Sequence, residues 1–120
     1  MTFDIDMLEI PVSDMNRAVR FFRSFLECDL KVQEGENGEV RATCASDRGV
    51  LWSLVQRDQF LPSRDGLMAT LKFDRSREAT VQVVEGGGGC ILTFDHSAPE
   101  DVIVQDSEGN RFRVLAAQGI

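Results

Sequence analysis

Hydrophobic and polar positions alternate along two short stretches of the chain, and the stretches are alike. In Met7-Leu8-Glu9-Ile10-Pro11-Val12, the apolar Leu8, Ile10 and Val12 fall on one face of an extended backbone. Shifted by 61 residues, the pattern returns in Met68-Ala69-Thr70-Leu71-Lys72-Phe73, where Ala69, Leu71 and Phe73 share a face. Alternation with a period of two marks a strand with one buried side. Each stretch runs into a polar cluster, Ser13-Asp14 and Asp74-Arg75-Ser76, of the kind that caps a helix N-terminus.

The period then changes. Met15, Ala18, Val19, Phe22, Phe25 and Leu26 recur at three- and four-residue steps and form one apolar stripe, with Arg17, Arg20 and Arg23 mostly off it. The shift places Ala79 and Val83 where Ala18 and Phe22 lie, which predicts a weaker second helix over 76–85. Gly86-Gly87-Gly88-Gly89 ends it. A phosphate-cradling loop needs a strand before its glycines and a helix after them. Here the order is helix, glycines, strand, so the run reads as a C-cap and turn.

Three short strands follow each helix, at 30–33, 40–44 and 50–55 and again at 90–94, 102–105 and 111–115. The reversals Glu34-Gly35-Glu36-Asn37-Gly38, Ser46-Asp47-Arg48-Gly49, the segment 95–100 and Asp106-Ser107-Glu108-Gly109-Asn110 carry the residues that tight turns need. The connection between halves spans 56–66, with Pro62 inside it. The expectation is an α+β fold: one domain over 1–120, built from a βαβββ module at 1–55 and a second at 67–120. Neither half is large enough to hold a good core alone.

Charge and cysteine content narrow the function. Thirteen basic and twenty acidic residues give a net charge of −7, which disfavours nucleic acid as a partner. The three cysteines, Cys28, Cys44 and Cys90, are widely spaced and form no CxxC pair, so they read first as small apolar residues of a reduced protein. The acidic start Met1-Thr2-Phe3-Asp4-Ile5-Asp6 has no signal-peptide character, and no apolar run approaches the length of a membrane span. A soluble, cytoplasmic protein is expected. His96 stands in the polar loop Asp95-His96-Ser97-Ala98-Pro99-Glu100 and reads as an exposed loop histidine, because triad members converge from separate elements.

The doubled βαβββ pattern resembles the vicinal oxygen chelate superfamily of glyoxalase I, extradiol dioxygenases, methylmalonyl-CoA epimerase, fosfomycin-resistance enzymes and bleomycin-resistance proteins. Three stretches carry the resemblance: Glu9-Ile10-Pro11-Val12-Ser13-Asp14-Met15-Asn16-Arg17-Ala18 with Phe21-Phe22; 69–73 with the glycine turn after the second helix; and Asp106-Ser107-Glu108-Gly109-Asn110-Arg111-Phe112. The last is similar to the family's Asp-Pro-Glu-Gly-Asn turn, with Ser107 in place of proline. The resemblance implies two curled sheets forming a cup, helices on the convex side, a ligand in the concave side, and a homodimer. Metal-dependent members place one His or Glu on each of the first, fourth, fifth and eighth strands. Carried onto this chain, those positions are Met7, five residues before Val12; Met68, five before Phe73; Arg113, four after Gly109; and Trp52, which the 61-residue shift pairs with Arg113. Thioether, indole and guanidinium do not suit a divalent metal that wants carboxylate or imidazole. No metal and no cofactor are therefore expected.

Strand parity adds the other cup-facing positions: Glu9 and Pro11, Thr70 and Lys72, Val50 and Leu54, Arg111 and Leu115. The candidate ligand-binding set is Met7, Glu9, Trp52, Met68, Thr70, Lys72, Arg111 and Arg113. Arg113 suits a carboxylate or phosphate, and Trp52 a planar ring or cation. The competing structural expectation pairs Glu9 with Arg113 or Lys72. The leading functional reading is a metal-free small-molecule binding protein. The alternatives are a metal-dependent lyase, isomerase or dioxygenase, and a protein that sequesters a cationic antibiotic. Whether a reaction occurs stays open, with Glu9 as the candidate general base if one does.

Overall fold

The computed structural model describes residues 1–61, 67–95 and 98–117. The chain divides into two compact units, Met1–Phe60 and Leu61–Ile120, and the division falls inside the segment read as a connection. Both units are α+β, and each is a four-stranded mixed sheet with one helix.

The first unit runs β1 (Met7–Val12), α1 (Met15–Leu26), β2 (Lys31–Glu34), β3 (Val40–Ala45) and β4 (Leu51–Gln56). Its sheet order is β1-β4-β3-β2, with β1 parallel to β4 and the other pairs antiparallel. Asp14 caps α1, its carboxylate accepting the backbone N–H of Arg17 at 3.1 Å. The helix buries Met15, Ala18, Val19, Phe21, Phe22 and Phe25. Phe22 packs against Phe21, Phe25 and Trp52, with ring centroids 5.0, 6.2 and 5.8 Å away. Aromatic pairs at such spacings add to the stabilisation their burial supplies.

The second unit repeats the order with β5 (Thr70–Ser76), α2 (Arg77–Gly86), β6 (Cys90–Asp95), β7 (Ala98–Gln105) and β8 (Arg111–Ala117), arranged β5-β8-β7-β6. Strand β7 begins four residues earlier than its expected start at 102. Helix α2 is capped by Ser76, whose hydroxyl accepts the N–H of Ala79 at 3.2 Å, and it buries only Thr80 and Val84. Beneath it lie Val102, Val104, Phe112 and Val114, all but closed to solvent. Neither α1 nor α2 is long and apolar enough to cross a membrane.

The β3–β4 and β7–β8 turns show how closely the halves correspond. Ser46 N–H donates to Val50 O and Gly49 N–H to Ser46 O; Asp106 N–H donates to Asn110 O and Gly109 N–H to Asp106 O. Gly49 and Gly109 both take positive φ, 87° and 94°, a conformation glycine adopts without steric cost. In the second turn, the buried Asp106 carboxylate accepts the N–H groups of Glu108 and Asn110, each at 2.8 Å, and the Asn110 side chain at 3.2 Å. Burial pushes the Asp106 carboxyl up to about 6, with those three donors pulling the other way.

Matched on these turns, the halves are offset by 60 residues, not by the 61 that relates β1 to β5. The difference has a structural origin. A register shift in β5 between Lys72 and Ser76 lengthens this stretch before the helix, and the caps Asp14 and Ser76 stand 62 apart. Helix α2 has 10 residues where α1 has 12, and the offset falls to 60 at the helix ends Leu26 and Gly86.

Candidate functional site

In each unit the helix covers one face of the sheet, and the opposite face carries the candidate residues. In the first unit, the register Met7↔Leu51, Glu9↔Ser53 and Pro11↔Val55, extended by Thr43↔Ser53 and Arg41↔Val55, places these side chains together on the helix-free face. Four charges gather there. Arg41 Nη1 lies 3.6 Å from Glu9 Oε1 and donates to Ser53 Oγ at 3.3 Å. Its Nη2 donates to Glu39 Oε1 at 3.3 Å, and Arg57 Nη1 donates to the same oxygen at 2.9 Å. Arg57, then Arg41, holds the Glu39 carboxyl below its ordinary range. Two carboxylates and two guanidiniums thus neutralise one another.

Trp52 does not belong to this face. It pairs with Leu8 and Cys44, packs against Phe22 and is only 5% exposed. Leu54 is fully buried on the same side. The expected inward set Val50, Trp52 and Leu54 is therefore corrected to Leu51, Ser53 and Val55. A one-residue slip exchanges the two faces of a strand, and the 61-residue shift carries that slip when extended past the helix. The counterpart of Arg113 is Ser53. The signal was present in the two turns, whose glycines Gly49 and Gly109 match at 60. Arg41 was outside the expected set too, although its alternation with Ala42 and Cys44 marks it as facing away from the helix.

In the second unit, Thr70↔Arg113 and Lys72↔Leu115 set the parity on β5 and β8, and Asp101↔Leu115, Ile103↔Arg113 and Gln105↔Arg111 extend it to β7. Thr70, Lys72, Arg111 and Arg113 share the helix-free face, while Phe112 and Val114 are buried on the other side. Arg113 Nε lies 3.3 Å from Asp101 Oδ1; the Arg113 side chain is 51% exposed and that of Asp101 20%. Arg111 Nε donates to Gln105 Oε1 at 3.4 Å. Met68 lies just before β5, where the carbonyl of its neighbour Ala69 accepts the N–H of Arg113 at 3.0 Å. The expected partners of Glu9 were Arg113 or Lys72; the ion pairs found are Glu9 with Arg41 and Arg113 with Asp101. The halves differ at one matching position, which carries the cation Arg41 on β3 in one and the acid Asp101 on β7 in the other.

With the register corrected, the four positions implied by the metal-dependent relatives are Met7, Ser53, Met68 and Arg113. Two thioethers, a hydroxyl and a fixed cation do not fit a divalent metal, which binds carboxylate and imidazole. Among the described residues no three His, Cys, Asp or Glu side chains gather as a ligand set. His96 lies outside the described residues.

Comparison with known proteins agrees with this architecture. The model of the glyoxalase-like domain matches residues 5–115, and the chain belongs to that family, within the vicinal oxygen chelate superfamily. No curated protein matches its sequence. Among solved structures, a fosfomycin resistance protein, FosX, from Listeria monocytogenes, complexed with Mn(II) and 1S,2S-dihydroxypropylphosphonic acid, superposes with a TM-score of 0.77 at 12% identity over 100% of this chain and 96% of that one. FosX from Mesorhizobium loti gives 0.73 at 10% identity, covering 100% and 95%. A possible glyoxalase from Bacillus cereus gives 0.66 at 15% identity, covering 95% and 99%. At these identities the likeness is one of fold.

Proposed function

We propose that the chain is a metal-independent binding protein for a small organic anion, with the helix-free face of the second sheet as its recognition surface. The observation that carries this reading is the local inversion of charge. Lys72, Arg111 and Arg113 share a face with Asp101, in a chain whose net charge is −7. Arg113 is held through Nε by Asp101, and its side chain remains half exposed. A planar guanidinium so placed makes paired hydrogen bonds to a carboxylate or phosphonate. Thr70, cross-strand from Arg113, adds a hydroxyl. The first unit's face contributes no comparable net charge, since Glu9, Arg41, Glu39 and Arg57 offset one another.

The Listeria relative holds a phosphonic acid together with Mn(II). In the present reading, fixed side-chain cations supply the positive charge that a metal would otherwise bring. A cationic drug would meet charge of its own sign on this face.

The test is calorimetry against small carboxylates, phosphonates and phosphate, with and without added Mn(II) or Zn(II). The expectation is metal-independent binding, weakened by salt. Arg113→Ala should lower affinity about 10- to 100-fold, the loss of charge-assisted hydrogen bonds, with little change in melting temperature. Binding that appears only with metal, or that survives the substitution intact, would refute the reading.

A further inference from the structure

Away from the helix-free faces, the fold brings a pair of reactive side chains together. Cys28 follows the C-cap of α1, where Glu27 takes a left-handed backbone at φ 51°. Cys44 lies in β3, cross-strand from Trp52 on the helix side. Their sulfurs are 3.0 Å apart, with Cys28 donating its S–H to Cys44. Both are partly accessible, whereas Cys90, in the other unit, is exposed. A disulfide bond is about 2.05 Å long, so closure needs an approach of only about 1 Å. We propose that Cys28 and Cys44 are an intramolecular redox pair that peroxide converts reversibly to a disulfide.

The roles of the two sulfurs differ. Burial, then the neighbouring Cys44, pushes the Cys28 thiol up to about 12. Cys28 turns its S–H toward Cys44 and acts second, and Cys44, the accepting sulfur, meets the oxidant. Cys44 attacks the O–O bond of hydrogen peroxide, becomes a sulfenic acid and releases one water. The Cys28 sulfur then attacks the sulfenic sulfur, its proton leaves with the hydroxyl, and a second water departs. In total, two thiols and one peroxide give one disulfide and two waters. The sulfurs lose two electrons and the peroxide oxygens gain them; a dithiol reverses the change.

The bridge fastens the end of α1 to β3. The segment it closes contains β2, an edge strand whose residues are all exposed and whose one partner is β3. Oxidation thus tethers the least-buried strand of the first unit at both ends and limits its excursions in the unfolded chain.

The experiment treats the full chain with hydrogen peroxide, blocks remaining thiols, and maps peptides without reduction. The expected product is a Cys28–Cys44 cross-link, an intact mass lower by two hydrogens, and a melting temperature raised by about 5–10 °C, all reversed by dithiothreitol. Cys90→Ser should leave this unchanged. Cys28→Ser should strand Cys44 as a sulfenic acid that a dione reagent traps. Full alkylation of both thiols after peroxide, cross-linking mainly through Cys90, or over-oxidation of Cys44 as fast in the native chain as in Cys28→Ser would overturn the proposal.

Discussion

Asp106 illustrates how much one buried side chain can set. Its carboxylate organises the β7–β8 turn through three hydrogen bonds, yet burial raises its pKa from an ordinary 3.8 to about 6. The folded state therefore holds the proton more tightly than the unfolded chain. The resulting stabilisation is complete below pH 3.8 and is lost as pH rises through about 6. Two pKa units correspond to a loss on the order of 3 kcal/mol. Asp106→Asn keeps an oxygen for the two backbone donors and removes the titration. Denaturant unfolding of both proteins between pH 3.5 and pH 7 should show the native chain losing stability relative to the variant across that window; parallel profiles would sink the argument. At the same scale, Asp101 shows what the sequence withheld. Its alternation with Val102 and Val104 was readable, but which cation it would meet depends on β7–β8 register, which is set by a turn and not by composition.

At the scale of elements, the period-two and period-three-to-four patterns identified β1, α1 and the order of all ten elements, because each buries one face against a partner. What they left undetermined was parity across a gap. The bulge in β5 and the shorter α2 are local events, and neither leaves a mark in hydrophobic spacing strong enough to correct the phase of a distant strand. Trp52 was misplaced for that reason alone. Its true environment makes α1 the main source of packing in the first unit. Phe22, with no exposed surface, touches Phe21, Phe25 and the Trp52 ring. Phe22→Ala should cost about 3–5 kcal/mol, the range for removing a buried aromatic ring. Trp52 is the single tryptophan, so its fluorescence reports unfolding of this unit directly. A loss below about 1 kcal/mol would mean that the aromatic cluster re-forms around the gap.

For the whole molecule, the donor set at the four positions of the metal-dependent relatives predicts behaviour in bulk. Protein purified without chelator should carry no stoichiometric Mn, Fe, Ni or Zn, and EDTA should leave its melting temperature unchanged. About one metal per chain, with loss of stability on chelation, would return the chain to the metal-dependent group. The two helices have a consequence of a different kind. Helix α1 anchors its sheet with six buried side chains and α2 with two. Backbone amides exchange with solvent through local opening, and opening is easiest where few apolar contacts must be broken. The second unit should therefore take up deuterium sooner than the first, and it is the unit that carries Lys72, Arg111 and Arg113. A ligand held by those cations would be bound by the half with most to gain from being held, and its arrival should be visible as slowed exchange in β5 and β8.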